Sequence, residues 1–145
     1  MKTIKFRGYN LKNNKWIYGY YFVNRGQHFV VEDGIANPLN TWEDYLVEAD
    51  TIGQFTGLLD KNGKEIYEGD IIGCHNPSIK HLIFYNEKQG RFMAALNGDI
   101  ENYFVGVCGL DDSRWNGSKK VIGNTYDNPE LINGKEKQQC QEMKK

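Results

Sequence analysis

The chain has 145 residues, with 18 Lys and Arg against 19 Asp and Glu and a formal charge of −1. That length suits one ordinary domain or two very small ones, large enough to fold without disulfides or metal, and the charge balance does not suggest a strongly basic nucleic-acid binder. No apolar run reaches the roughly 18 residues of a membrane-spanning helix.

The composition, 13% aromatic with 16 Gly and 3 Pro, leans toward strands and tight turns. Ile4, Phe6 and Gly8 alternate with Lys5, Arg7 and Tyr9, the period of a half-buried strand. Asn10 to Asn14 supply a polar turn, and Lys15 to Val23 form a second strand with Trp16, Tyr18, Tyr20 and Phe22 on one face and Ile17, Gly19, Tyr21 and Val23 on the other. Both faces being apolar or aromatic, this strand is expected to be central. A third strand follows at His28 to Glu32, closed by the Asp33-Gly34 turn.

Pro38 then breaks the chain. Thr41 and Asp44 suit a capped helical turn, while Tyr45 to Val47 suit a short strand, and residues 40–48 are compatible with either. Strand signals resume at Ile52 to Phe55, Leu58-Leu59 and Glu65 to Tyr67, with a hairpin turn at Asn62-Gly63. Further strands are expected at Ile71 to Cys74, Ile79 to Tyr85, Arg91 to Leu96, Ile100 to Val107 and Lys120 to Tyr126. Asn128-Pro129-Glu130 reads as the start of a brief helix. Residues 133–145 are polar, without an apolar period, and are expected to be a disordered tail.

Short strands at this spacing predict a mostly β fold of antiparallel hairpins, forming small barrel-like or sandwich units with minor helix. The domain spans 1–132, divisible into an N-terminal sheet unit over 1–56 and a small barrel over 57–128. Three separated cysteines, Cys74, Cys108 and Cys140, without a CxxC pair, read as free thiols of a reducing compartment. Arg7, Asn10 and Lys12 interrupt any signal-like apolar stretch, and a cytosolic protein is expected.

The charge is unevenly placed. Residues 1–31 hold Lys2, Lys5, Arg7, Lys12, Lys15 and Arg25 and no acid, a segment charge of +6; residues 32–70 hold ten acids against Lys61 and Lys64, which is −8. Blocks of opposite sign pair within a subunit or between subunits, or leave a basic surface for a polyanion.

Three segments carry a family resemblance: Ile4 to Asn10, the long run Thr51 to Ile72, and Val121 to Leu131. In order and spacing they resemble the YopX family, small proteins of phages and prophages of Gram-positive bacteria. Leu59 stands where a basic residue is more usual in that family, and Gly8 where a small residue such as Ala is common. The resemblance implies a mostly β fold and a phage or prophage source, hence a bacterial cytosol, and it brings no established activity and no catalytic residues. Within the shared segments Gly57, Asp60, Asn62, Gly63, Gly69, Asp70, Gly123, Asn124, Asn128 and Pro129 read as architectural, since glycines fall at turns and Asp or Asn accept turn amides.

Candidate chemistry is sparse. Cys74, His75, His81 and Cys108 supply zinc-ligand types, but without paired spacing, and adjacent strand residues point to opposite faces, so no metal or other cofactor is expected. Asp111-Asp112-Ser113 reads as a solvated turn; a small hydrolase or transferase is the minor alternative, with no nucleophile elbow or phosphate loop to raise it. Lys5, Arg7, Tyr9, Lys12 and Lys15 form a basic and aromatic stripe, the candidate contact for a partner or for single-stranded nucleic acid. The leading expectation is a non-enzymatic protein-interaction module or a self-assembling β protein: a homo-oligomer, or a binder of a host or phage protein, with no membrane partner.

Overall fold

The computed structural model describes residues 2–34, 40–101, 107–109 and 117–132. The predicted tail, the Asp111-Asp112-Ser113 loop and residues 102–106 of a predicted strand lie outside that set. The fold is mostly β, with antiparallel pairing throughout the described ladders. Two compact units are present, Met1–Leu58 and Leu59–Lys145.

In the first unit β1 (Phe6–Asn10), β2 (Lys15–Asn24), β3 (Gln27–Val31), β4 (Leu46–Val47) and β5 (Gly53–Leu59) form a sheet in the order β4-β3-β2-β1-β5. The long aromatic strand is central, as its composition requires. Its first half pairs with β1, from Phe6↔Gly19 to Asn10↔Lys15, and its second half with β3, from Tyr20↔Val31 to Asn24↔Gln27. The change of partner falls at Gly19 (φ 157°), where any Cβ would collide with the Val31 carbonyl oxygen. Ile17, Val30 and Val47 make the core on one face, with Tyr21 and Ile52 packed against them. Gly8 completes this face: a Cβ there would stand 2.7 Å from the Val47 side chain, so β1 and β4 approach only because Gly8 has none.

Residues 40–48 adopt both local forms that their sequence permits, one after the other: a 3₁₀ turn at Trp42–Asp44, then β4. A second 3₁₀ turn, Ala49–Thr51, leads into β5.

In the second unit β6 (Glu65–Tyr67) precedes a five-stranded sheet of β7 (Asp70–Gly73), β8 (Lys80–Asn86), β9 (Arg91–Leu96), β10 (Val107–Gly109) and β11 (Lys120–Asn124), in the order β10-β9-β8-β7-β11. Ile66, Ile72, Ile83, Ala94 and Val121 form its core, with Cys74 and Phe92 against it. Neither sheet closes on itself among the described residues, so the barrel-like expectation takes the form of open sheets.

The shared central segment is built around a carboxylate. The Asp60 backbone N–H donates to the Lys64 carbonyl (2.7 Å), while its Oδ1 accepts the N–H groups of Asn62 (2.8 Å) and Lys64 (2.9 Å). Its Oδ2 accepts the N–H of Val121 (3.0 Å), 61 positions away in β11. Gly57, Gly63 and Gly69 all carry positive φ, which only glycine adopts without strain. Asp70 Oδ2 accepts the Tyr67 N–H at 2.8 Å, tightening the turn into β7.

Near the end, Asn124 Oδ1 accepts the N–H groups of Tyr126 (3.0 Å) and Asp127 (2.8 Å). Asn128 stands just ahead of the short helical turn. Its side chain turns back to accept the Asn124 N–H (3.3 Å), over Gly123, where a Cβ would stand 2.5 Å from Asn128 Oδ1. Its backbone carbonyl accepts from Leu131 and that of Pro129 from Ile132, which gives the short helical turn at 130–132.

Burial alone would raise the Asp60 pKa, but the N–H bonds from Val121, Lys64 and Asn62 outweigh it and hold the carboxyl below its ordinary value. A depressed native pKa contributes stability that is full above the unfolded carboxyl pKa and is lost as pH falls through the native one. Glu68, pushed upward by burial, acts with the opposite sign. Asp60→Asn replaces an acceptor by an amide donor and is expected to cost about 1–3 kcal/mol near neutral pH. Its urea midpoint should also fall less steeply than the wild type's below about pH 4; equal slopes would contradict the ionised role of Asp60.

Candidate interaction surface

Strand alternation gives β2 two unlike faces. Ile17 and Gly19 are buried, whereas Tyr18, Tyr20 and Phe22 point the other way and are 43%, 59% and 38% exposed. Phe22 lies opposite Phe29 of β3, the two rings stacked at 5.1 Å and 14°. Trp42 stands edge-on to both, 6.1 Å from Phe22 at 84° and 6.0 Å from Phe29 at 74°, and 6.4 Å from Tyr45 at 67°. These rings form an aromatic corner, and Trp42, 66% exposed, is its outermost part. Tyr18 and Tyr20 continue the apolar stripe along the strand, their phenol oxygens tolerating water.

The segment carrying Trp42 is pinned from beneath. Asn10, fully buried, donates its Nδ2 to the carbonyls of Glu43 (2.9 Å) and Leu46 (2.8 Å), and its Oδ1 accepts the Asn13 N–H (2.7 Å). Thr51 Oγ1 donates to the Glu48 carbonyl (2.6 Å) and accepts the Tyr9 N–H (2.8 Å), while the Glu48 N–H donates to the Tyr9 carbonyl (3.0 Å). Asp44 Oδ2 accepts the Thr41 N–H (2.8 Å), closing the 3₁₀ turn.

The electrostatics around Trp42 are acidic. Lys12 Nζ meets Asp44 Oδ1 at 2.9 Å, and with the Thr41 and Asn13 donors it holds the Asp44 carboxyl far below its ordinary pKa. A side-chain hydrogen bond with Thr41, aided by backbone bonding and by the Lys12 charge, lowers Glu43 as well. Both carboxylates beside Trp42 are thus ionised at neutral pH.

The stripe predicted from sequence is dispersed by the fold. Arg7 is buried, its guanidinium 4.8 Å from the Trp16 ring centre, and it is not presented as a surface phosphate contact. Tyr9 is half-buried, edge-on to Trp16 at 5.5 Å. Lys5 lies 5.3 Å over the Phe55 ring, Lys12 is engaged by Asp44, and Lys15 is exposed at the start of β2. Sequence reasoning missed Trp42 itself. The available signal was the Thr41–Asp44 cap, which presents the residue after Thr41 at the outside of a tight turn next to two acids.

Among the described residues no three His, Cys, Asp or Glu side chains gather as a metal-ligand set. Cys74 is half-exposed beside an exposed His75, His81 sits in β8 opposite Ile72 and Leu96, and Cys108 falls in β10 opposite Ala94. The described residues contain no helix long and apolar enough to cross a membrane.

Against known proteins, the family model described as YopX protein matches residues 5–133. The chain belongs to the YopX family. The crystal structure of protein EF1440 from Enterococcus faecalis is similar to this YopX protein at 26% identity, covering 91% of this chain and 99% of that one, with a TM-score of 0.50. No curated protein matches the chain. The family match takes in the second and third segments on which the resemblance was drawn and the first from Lys5 onward, and the aromatic corner lies within it.

Replacing Asn10 by Leu keeps its branched shape but strands the Glu43 and Leu46 carbonyls and the Asn13 N–H. The expected loss is about 2–4 kcal/mol, read by urea unfolding. Asn10→Asp, which cannot donate to either carbonyl, should be similarly destabilised; a variant as stable as wild type would show that the Trp42 segment is held by other contacts.

Proposed function

We propose that this YopX protein is a phage or prophage accessory protein acting in the bacterial cytosol by non-enzymatic contact with other protein surfaces, a second copy of itself included. The observation that carries the reading is the exposed stripe of Tyr18, Tyr20, Phe22 and Trp42. Aromatic rings are enriched where proteins meet, because each supplies a large apolar area at small entropic cost. The four rings expose an area on the order of 400 Å², within the range of functional surface patches.

Neither of the other readings gains from the geometry. Stacking of single-stranded bases needs cations beside the rings, and three of the four candidate cations have other engagements: Arg7 beneath Trp16, Lys12 on Asp44, Lys5 over Phe55. The carboxylates of Glu43 and Asp44, both held ionised, lie beside Trp42 and repel phosphate. For hydrolysis or group transfer, a polar hollow among the described residues, lined by Asn13, Lys15, Ile17, Glu32, Asn40, Asp44 and Tyr45, offers Asp44. Its carboxylate is already committed to Lys12, Asn13 and Thr41 and is too acidic for general-base work near neutral pH.

Tyr20→Ser combined with Trp42→Ala tests the reading, both sites being exposed. Cross-linking of a tagged chain in cells should give protein adducts, insensitive to nuclease and at least about fivefold weaker in the double variant, as expected from loss of interface anchors. Adducts unchanged in the variant, or dissolved by nuclease, would overturn it.

A further inference from the structure

The aromatic corner has a defined chemical preference: an apolar surface for a hydrocarbon side chain and, at its margin, the ionised carboxylate of Glu43 for a cation. One segment of this same chain has the complementary chemistry. Ile4 is 58% exposed, the most exposed aliphatic side chain among the described residues, and it is flanked by the exposed Lys2 and by Lys5. Resting on the protein-contact reading above, we propose that the occupant of the corner is residues 2–5 of a second copy. Ile4 of one protomer packs on Phe22 and Trp42 of its partner, Lys2 lies against Glu43 across the contact, and the reciprocal contact closes a two-fold dimer.

Charge complementarity supports this choice. Residues 1–31 carry +6 and residues 32–70 carry −8, and Lys12 meets Asp44 within the first unit. Lys2 at one end and Glu43 at the other are both at the surface, and one contact between copies brings them together. A two-fold arrangement makes each such contact twice, so an attractive pair is doubled and the assembly is closed rather than extended. The area is adequate. A face on the order of 400 Å², the segment that covers it, and the symmetric repeat remove roughly 1,600 Å² in all, the size of a standard specific interface. Nucleic acid would meet Glu43 and Asp44 with like charge, which disfavours it as the occupant.

The purified chain, followed by light scattering over about 1 to 100 μM, should move from monomer to dimer, with a dissociation constant that rises with salt. Trp42→Ala and Ile4→Ser should each raise that constant at least about tenfold, as central apolar anchors do. The charge arm separates this contact from any other. Lys2→Glu and Glu43→Lys should each weaken the dimer about tenfold, and the double variant, which restores opposite charges across the two-fold contact, should return to within about threefold of wild type. All four side chains are exposed, and unchanged circular dichroism would show that the variants fold. A monomer at every concentration, or a dimer in which the two charge reversals are additive, overturns the proposal. If the monomer still gives Trp42-dependent protein adducts in cells, the corner binds a different protein; if those adducts are also absent, the protein-contact reading fails with it.

Discussion

Backbone groups left over where short strands end or change partner must find hydrogen bonds, and in this chain compact polar side chains supply them. Asp60 is the strictest case. One carboxylate accepts two N–H groups of its own hairpin and the Val121 N–H of β11, a strand far along the sequence. An exposed strand edge invites pairing with another chain, and a carboxylate seated on one of its N–H groups blocks that approach. The same logic governs the first unit, where Asn10 holds two carbonyls and Thr51 joins Glu48 to Tyr9. The hydrophobic cores of Ile17, Val30 and Val47, and of Ile66, Ile72, Ile83, Ala94 and Val121, are small. Their register depends on these few bonds, because buried backbone groups without partners cost about as much as a modest core contact contributes.

Much of the architecture was legible because it is local. Period-two alternation marked most of the strands, and Asn-Gly or Asp-Gly steps marked the turns. The centrality of β2 followed from its two apolar faces. The choice of face did not, since Trp16, Tyr18, Tyr20 and Phe22 look at least as hydrophobic as Ile17, Gly19 and Tyr21. Gly19 marks the inward face: no side chain has room there beside the Val31 carbonyl. Residues 40–48 were ambiguous for a related reason. A capped 3₁₀ turn and a two-residue strand in succession fall below the length at which either period shows. Asp60 was recognised as a turn former, but its bond to Val121 spans too much sequence for any local pattern to reveal.

The candidate site was less legible, because exposure is a tertiary property. Lys5, Arg7 and Tyr9 have the alternation of a solvent-facing stripe, yet Arg7 is buried against Trp16 and Lys5 lies over Phe55. A guanidinium over an indole is a favourable contact that holds the cation away from the surface. The charge asymmetry was visible in the sequence, whereas the residues that express it at the surface were not.

The net charge of −1 therefore conceals an arrangement rather than describing one. Lys12 and Asp44 cancel within the first unit, and their pairing has a structural consequence: it fixes the 3₁₀ turn that carries Trp42 and Glu43. An ion pair at the surface contributes little stability by itself. Here it acts with the Asn10 bonds to keep an exposed indole in one place, and a fixed indole loses less entropy on meeting a partner than a mobile one. Trp42 packs edge-on against the buried Phe29 and so serves the fold as well as the surface. On the reading proposed above, its exposed part beside the Glu43 carboxylate suits an apolar residue next to a cation, which is the ground for preferring the aromatic corner to the basic strands as the contact surface.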